Sequence, residues 1–253
     1  LFLCTFKTKG YSHHRMKLVD TTLPTAHAGM VALINGEESD RAMYLAQKFR
    51  INLLGMYSAV VSAEWDSRGK EECNFLHHLD ISLSGKRELV YEGKVYQIEA
   101  GDVWYLPGNT PVVRKCEEVC EVLFFRVSCD WLPGVDPLLD WPGRSPRFVE
   151  KTDIARWRPW LKLERPIIAS DLIGLRGQLL AWIALALPEL DQILNYHLAT
   201  HTQFTAVFEY LEEHLAADLR ISKLAQIHGV SQAAFTMAFS RSLGISPKEY
   251  LTR

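Results

Sequence analysis

Four glycines, Gly85, Gly93, Gly101 and Gly108, punctuate "SGKRELVYEGKVYQIEAGDVWYLPG" roughly every eight residues. Glycine takes the positive φ that tight turns demand at no steric cost, so this spacing divides the stretch into short strands joined by turns. Just before it, "FLHHLDISLSG" alternates and puts Phe75, His77, Leu79, Ile81 and Leu83 on one face. Just after it, "EVCEVLFFRVS" has the apolar run of a buried strand. Regularly punctuated strands over 51–128 predict a β-sandwich or small barrel. Ahead of them, Ala42, Leu45, Ala46 and Phe49 in "ESDRAMYLAQKF" recur at helical spacing and predict a short helix over one end.

The period then changes. "DWLPGVDPLLDWPGRSPRF" is dense in Pro and Gly and reads as a connector or extended flap, held to the barrel by Trp131 and Trp141. Pro166 and Pro188 bracket one long apolar helix. "TQFTAVFEYLEEHLAADL" follows, with Phe204, Val207, Phe208, Leu211 and Leu215 on one face. The predicted fold class is α+β, an N-terminal β-barrel or sandwich followed by a helical region. The predicted divisions are a β domain over 1–130, a connector over 131–165, dimerisation helices over 166–200 and a last helical unit over 201–253.

A formal charge of -2 on 253 residues gives no general attraction to polyanions, so nucleic-acid binding has to come from a local surface. The five cysteines, Cys4, Cys73, Cys116, Cys120 and Cys129, are odd in number and irregularly spaced. That pattern predicts reduced thiols and a cytoplasmic location. A metal shared by Cys116, Cys120 and Cys129 lacks the usual CxxC or paired His. The apolar window "IIASDLIGLRGQLLAWIALALP" is interrupted by Asp171, Arg176 and Gln178, so it reads as a buried helix rather than a membrane span. "LFLCTFKTKG" is too short in apolar residues for a secretion signal.

The end of the chain carries the most specific pattern, "ISKLAQIHGVSQAAFTMAFSRSLG". It predicts a helix over 221–228 with Ser222 near its cap, and Ala225 where two helices cross. Gly229 supplies the turn and Ser231 the N-cap of the second helix. Leu224, Val230, Phe235, Ala238 and Phe239 form the expected shared core. The opposite face of the second helix presents Gln232, Ala233, Thr236, Met237 and Ser240, with Arg241 at its edge. Those residues suit base edges and phosphates in a major groove, Gln232 toward adenine and Ala233 or Thr236 toward a thymine methyl. From position 201 onward, five Lys/Arg face five Asp/Glu. Phosphate contacts dominate affinity for duplex DNA, so one such unit is expected to bind weakly and to need duplication, as in a homodimer.

These residues resemble the AraC family of bacterial transcription regulators. The resemblance runs through "VFEYLEEHLAADLRISKLA" and the tail "FSRSLGISPKEYLTR", where Phe239, Gly244, Ser246–Pro247 and Tyr250 stand at the family's marked positions. "LSGKRELVYEGKVYQIEAGDVWYLPGNTP", with Gly101, Asp102 and Pro107, resembles the family's cupin-type effector domain. The resemblance implies a cupin-like sensor barrel, a first helix-turn-helix, double-stranded DNA as partner and a small-molecule effector, a sugar among the candidates. The family carries a second helix-turn-helix beyond a linker helix. This chain stops where that linker begins and is expected to be truncated. Tyr57, Trp65, His77, Tyr96 and Trp104 are the expected effector-binding residues. Leu172, Leu175, Leu179, Trp182 and Ile183 are the candidate dimer contact, with burial against the barrel as the alternative. No catalytic residue, metal or other cofactor is expected, because Pro111 stands where a metal-binding cupin often has a His, and alternation sends His77 and His78 to opposite faces. The competing reading is a metal-dependent cupin enzyme with an appended helical domain.

Overall fold

The structure, a computed structural model, describes residues 37–252 apart from 66, 68, 132–134, 140, 162–165, 215–218 and 244. Cys4, the N-terminal segment, Leu215 and Gly244 lie outside the described residues. The chain divides at Gln47/Lys48 into two units. The first contributes α1 (Glu37–Lys48), the short helix read from "ESDRAMYLAQKF". All that follows belongs to the second.

Eight antiparallel strands come next: β1 (Arg50–Val61), β2 (His77–Ser82), β3 (Lys86–Tyr91), β4 (Lys94–Glu99), β5 (Asp102–Leu106), β6 (Val113–Lys115), β7 (Cys120–Asp130) and β8 (Arg147–Lys151). They form a five-stranded sheet in the order β1-β7-β2-β5-β8 and a three-stranded sheet in the order β4-β3-β6. An isolated bridge, Glu72 to Val112, adds one more pairing at the edge of the smaller sheet. β3 and β4 form a hairpin, while the chain crosses from one sheet to the other at β2–β3, β4–β5, β5–β6 and β6–β7. That is the double Greek-key order of a jelly roll, the architecture shared by cupins.

Three of the four spaced glycines, Gly85, Gly93 and Gly101, take positive φ as predicted; at the fourth turn Asn109 does, at φ 56°, and not Gly108. Glu92 and Gly93 hold φ of 49° and 74° between the paired ends of β3 and β4, the two positive values a two-residue type I′ hairpin requires. Gly85, at φ 73°, is also pressed by its neighbours, since a Cβ there would lie 2.6 Å from Cys120 Sγ and 2.7 Å from the Val119 carbonyl.

The larger sheet is buried on both faces. Residues of one parity in β2, β5 and β7, among them Leu79, Ile81, Val103, Tyr105, Phe125 and Val127, lie under helices. The helices are α2 (Ile154–Trp157) and α3 (Ala169–Ala186), which packs on β1, β5 and β8. Trp182 of α3 sits 5.1 Å from Trp157 and 6.3 Å from Phe125, and its indole N–H donates to Glu150 at 2.6 Å. The other parity faces the smaller sheet across the sandwich, where Leu89, Ile98, Trp104, Leu106 and Val112 form a core.

Two sequence expectations change here. The predicted connector contains a strand and a helix, because β8 pairs with β5 and closes that edge of the sheet. The candidate dimer contact also turns inward. Leu175, Leu179, Trp182 and Ile183 are at most 3% exposed within a single chain, so they are core between α3 and the sheet and no surface for a second copy. Leu172 alone of the five stays accessible, at 45%.

Beyond α3 come α4 (Leu190–His201), α5 (Thr205–Glu213), α6 (Ile221–His228), α7 (Gln232–Leu243) and α8 (Pro247–Leu251). Among the described residues no single helix is long and apolar enough to cross a membrane; α3 and α4 reach that length only as a pair bent by 92°.

Candidate functional sites: a cavity in the sandwich and a helix-turn-helix

A cavity of about 470 Å³ opens between the two sheets, within the range of small-molecule sites. β7 lines it with Val122, Phe124 and Arg126, and β2 with His78 and Asp80. β3 adds Arg87 and Glu88, and β6 adds Arg114 and Lys115. Val61, Trp65, Glu72, Asn74 and Cys116 complete the wall.

Most of its charges answer one another. Arg87 reaches Asp80 at 3.5 Å and Ser82 Oγ at 3.3 Å. Arg114 pairs with Glu72, and Lys115 with Glu88 at 3.6 Å. Three polar atoms remain buried with no protein partner, His78 Nε2, Asp80 Oδ1 and Arg126 Nε. Burial is the largest influence on His78 and holds its pKa below the ordinary value of 6.5, against the opposing pull of Asp80. The imidazole is therefore neutral at neutral pH, one nitrogen a donor and the other an acceptor. Buried polar groups without partners are costly, and all three belong to residues that line this cavity, which makes it the candidate binding site.

The expected effector-binding residues divide between this cavity and its surroundings. Trp65 lines it. Tyr57 lies on the same side of the sheet, paired across strands with Phe124 and stacked on it at 5.1 Å, with the Arg126 guanidinium 5.0 Å above its ring. Trp104 faces the sandwich interior opposite Asp80 but belongs to the apolar core, with Tyr96 edge-on to it at 5.4 Å. His77 points the other way, beneath the helices. Its Nδ1 accepts from the Gly108 N–H at 2.9 Å and lies 2.9 Å from the Tyr105 hydroxyl; its Nε2 lies 3.0 Å from Asp136.

The alternation of "FLHHLDISLSG" sets His77 among the expected effector-binding residues, but it is His78 and Asp80, on the equally buried polar parity, that line the cavity. A strand with polar residues on one parity and no Lys or Glu among them was the available signal.

His77, Cys129 and Asp136 form the one cluster among the described residues whose atoms lie close enough to share a metal. The His77 nitrogens and the Asp136 oxygens are already bonded within the protein, as Asp136 also accepts from the Cys129 N–H at 2.8 Å and the Leu138 N–H at 3.0 Å. Burial, then Asp136 and Asp130, push the Cys129 thiol well above its ordinary pKa. The group reads as a bracket tying residue 136 to the sheet. Cys116 and Cys120 have sulfurs 3.8 Å apart, but Cys129 lies nine residues along β7 on the opposite face, about 30 Å away by strand rise, so the three do not meet.

The second site is the α6–α7 pair. Gly229 closes α6 at φ 81°, and its N–H reaches back to the Ala225 and Gln226 carbonyls. The Ser231 hydroxyl accepts from the Ala234 N–H at 3.3 Å and caps α7. Ala225 is buried at the crossing. Leu224, Phe235 and Phe239 join Phe204, Val207, Phe208 and Leu211 in one core, with Ala238 packed at its edge. Gln232, Ala233, Met237 and Arg241 are exposed, and Thr236 and Ser240 are half-buried beside them. Two details differ from expectation. Val230 is 41% exposed and outside the core, because the turn lifts it to the surface. Arg220 occupies the N-cap of α6 with no side-chain cap, and Ser222 is exposed within the helix. After α7, Ser246 caps α8 through the Glu249 N–H at 3.1 Å, Pro247 follows, and Tyr250 packs 5.4 Å from Phe239.

No family model matches the chain, and no curated protein matches it. Among solved structures, ToxT from Vibrio cholerae bound to (E)-4-(8-methylnaphthalen-1-yl)but-3-enoic acid is 14% identical, covering 81% of this chain and 98% of its own, at a TM-score of 0.35. A cupin 2 conserved barrel domain protein from Salinispora arenicola is 22% identical over 32% of this chain and 77% of its own, at 0.24. The ethanolamine utilization protein EutQ from Salmonella typhimurium is 15% identical over 31% of this chain, which spans 53% of that protein, at 0.20. At these values the likenesses carry no assignment, and the fold is read from the strand order and the helix crossing described above.

Proposed function

We propose that the chain is a ligand-responsive, DNA-binding transcription regulator of the AraC type. Its sandwich cavity takes a small-molecule effector and its α6–α7 pair reads the major groove. The observation that carries this reading is the conjunction, in one chain, of a cavity with three unpartnered buried polar atoms and a tightly crossed helix pair whose second helix leaves Gln232 through Arg241 accessible on one side. The positions of Phe239, Ser246–Pro247 and Tyr250 at the core and cap of that unit support the family resemblance. Gln232, Ala233, Thr236, Met237, Ser240 and Arg241 are the proposed DNA contacts. A homodimer, a cytoplasmic location and the absence of catalysis belong to the same proposal.

A physical route joins the two sites. His78 faces the cavity, and the adjacent His77 holds Asp136 from the other face of β2. Next to Asp136, the Pro137 carbonyl accepts from His197 Nε2 of α4 at 3.0 Å. A ligand that shifts β2 changes this bracket and with it the helices that lead to α6. Coupling requires a ligand that prefers one of two states. The test starts with a metabolite screen by thermal shift. Compounds that raise the melting temperature should change the affinity for duplex DNA of the chain dimerised through a fused leucine zipper, by about 5-fold or more. Compounds that bind without moving DNA affinity, or binding insensitive to salt over about 50 to 200 mM, would sink the reading.

A further inference from the structure

We infer that the cavity selects a small organic carboxylate with an apolar body rather than a neutral sugar, and that Arg126 is its anchor; this rests on reading the cavity as the effector site. The wall carries four Lys/Arg and three Asp/Glu. Arg87, Arg114 and Lys115 each have a carboxylate partner in the wall. Arg126 has none among the described residues. Its Nε is buried and unpartnered, and its guanidinium rests near the rings of Tyr57 at 5.0 Å and Phe124 at 6.0 Å. Ring faces offset part of the cost of desolvating a cation, but they leave its hydrogen-bond donors open. A guanidinium in that state is complementary to a carboxylate, which accepts two parallel N–H bonds and cancels the uncompensated charge.

The rest of the wall fits the same ligand. Phe124, Val61, Val122 and Trp65 offer an apolar and aromatic lining to its body. His78 and Asp80 line the cavity, are each 6% exposed, and each keeps a buried atom without a partner, Nε2 and Oδ1. They add a place for one hydroxyl or amine on the ligand, with Asp80 Oδ1 as acceptor. A sugar would satisfy that pair and could accept from Arg126 through a hydroxyl, but it would leave the guanidinium charge unanswered.

The experiment uses the 253-residue chain and titration calorimetry, without DNA. The probes are 4-phenylbutyrate, octanoate, 4-phenylbutanamide and D-glucose. The expected result is binding of both acids, the amide weaker by about tenfold or more, and no heat from glucose. Arg126→Gln brings 4-phenylbutyrate down to the level of its amide, and Arg126→Lys restores part of the difference. Binding of the amide or of glucose as tight as that of the acids, absence of acid binding, or an acid preference that survives in folded Arg126→Gln overturns the inference. Should Arg126→Gln not fold by circular dichroism, the acid-to-amide ratio of the parent chain decides alone. Acids that bind yet leave DNA affinity unchanged count against the regulator and leave the anion site standing. Neutral ligands that bind and shift DNA affinity do the reverse.

Discussion

The cavity and the helix-turn-helix solve opposite problems with the same chain. In the cavity the charged groups run from buried Asp80 to half-exposed Glu72 and Lys115, they nearly balance, and the proposed ligand preference rests on the one cation without a carboxylate partner among the described residues. On α7 the functional face is exposed and almost uncharged, with Arg241 as its basic residue. A buried site gains selectivity because each unmet group there is expensive. An exposed face gains it from shape and hydrogen-bond pattern, and it needs repetition to gain affinity. The two regions should therefore respond differently to substitution, and that difference is testable.

The largest expected effect is at the helix layer over the sheet. Ile183→Glu places a charge at a position that is 0% exposed and should cost several kcal/mol, read as a lost urea transition for the sandwich. A folded monomer in sedimentation would instead restore α3 as a dimer contact. Phe239→Ala, in the core of the helical unit, should cost about 3–5 kcal/mol and abolish DNA binding while ligand binding in the cavity persists. Loss of both would mean that the regions fold as one.

Glycine substitutions sharpen the contrast. Gly229→Ala meets no atom within 4 Å, so only its left-handed backbone opposes it, at about 1–2 kcal/mol. Gly85→Ala adds a clash with the Val119 carbonyl to the same backbone term and should cost more.

A smaller effect is pH-dependent. The folded state holds the His78 pKa below 6.5, so the unfolded chain binds more protons in the window beneath that value. Stability should rise with pH up to about 6.5, the unfolded His value, and be lost as pH falls through the window. His78→Gln should flatten that part of the profile, measured by urea midpoints from pH 5 upward. An unchanged slope would show that other groups cause it. The Cys120 thiol, pushed up to about 11 first by burial and then by its hydrogen bond to Cys116, should alkylate far more slowly at pH 8 than exposed Cys73.

The two regions were also unequally legible from sequence. Small-residue and capping rules act locally, so Gly229 and Ser231 mark the end of α6 and the start of α7, although Ser222 does not become the cap of α6, and Val230 departs because packing under a turn is a tertiary matter. In the sheet, alternation correctly separated His77 from His78. It could not say which parity met the cavity, because the other parity is covered by α2 and α3, which are distant in sequence. The α3 stripe shows the same limit. Leu175, Leu179, Trp182 and Ile183 look alike whether they meet a partner or their own sheet.

The most direct measurement is selection from a random duplex pool with the zipper-dimerised chain. Gln232→Ala combined with Thr236→Ala alters exposed or half-buried positions and should leave stability within about 0.5 kcal/mol. The parent should enrich a defined half-site and the double variant should lose it. Equal enrichment by both, or no enriched sequence from a folded parent, would contradict the assignment of α7 as a reading helix.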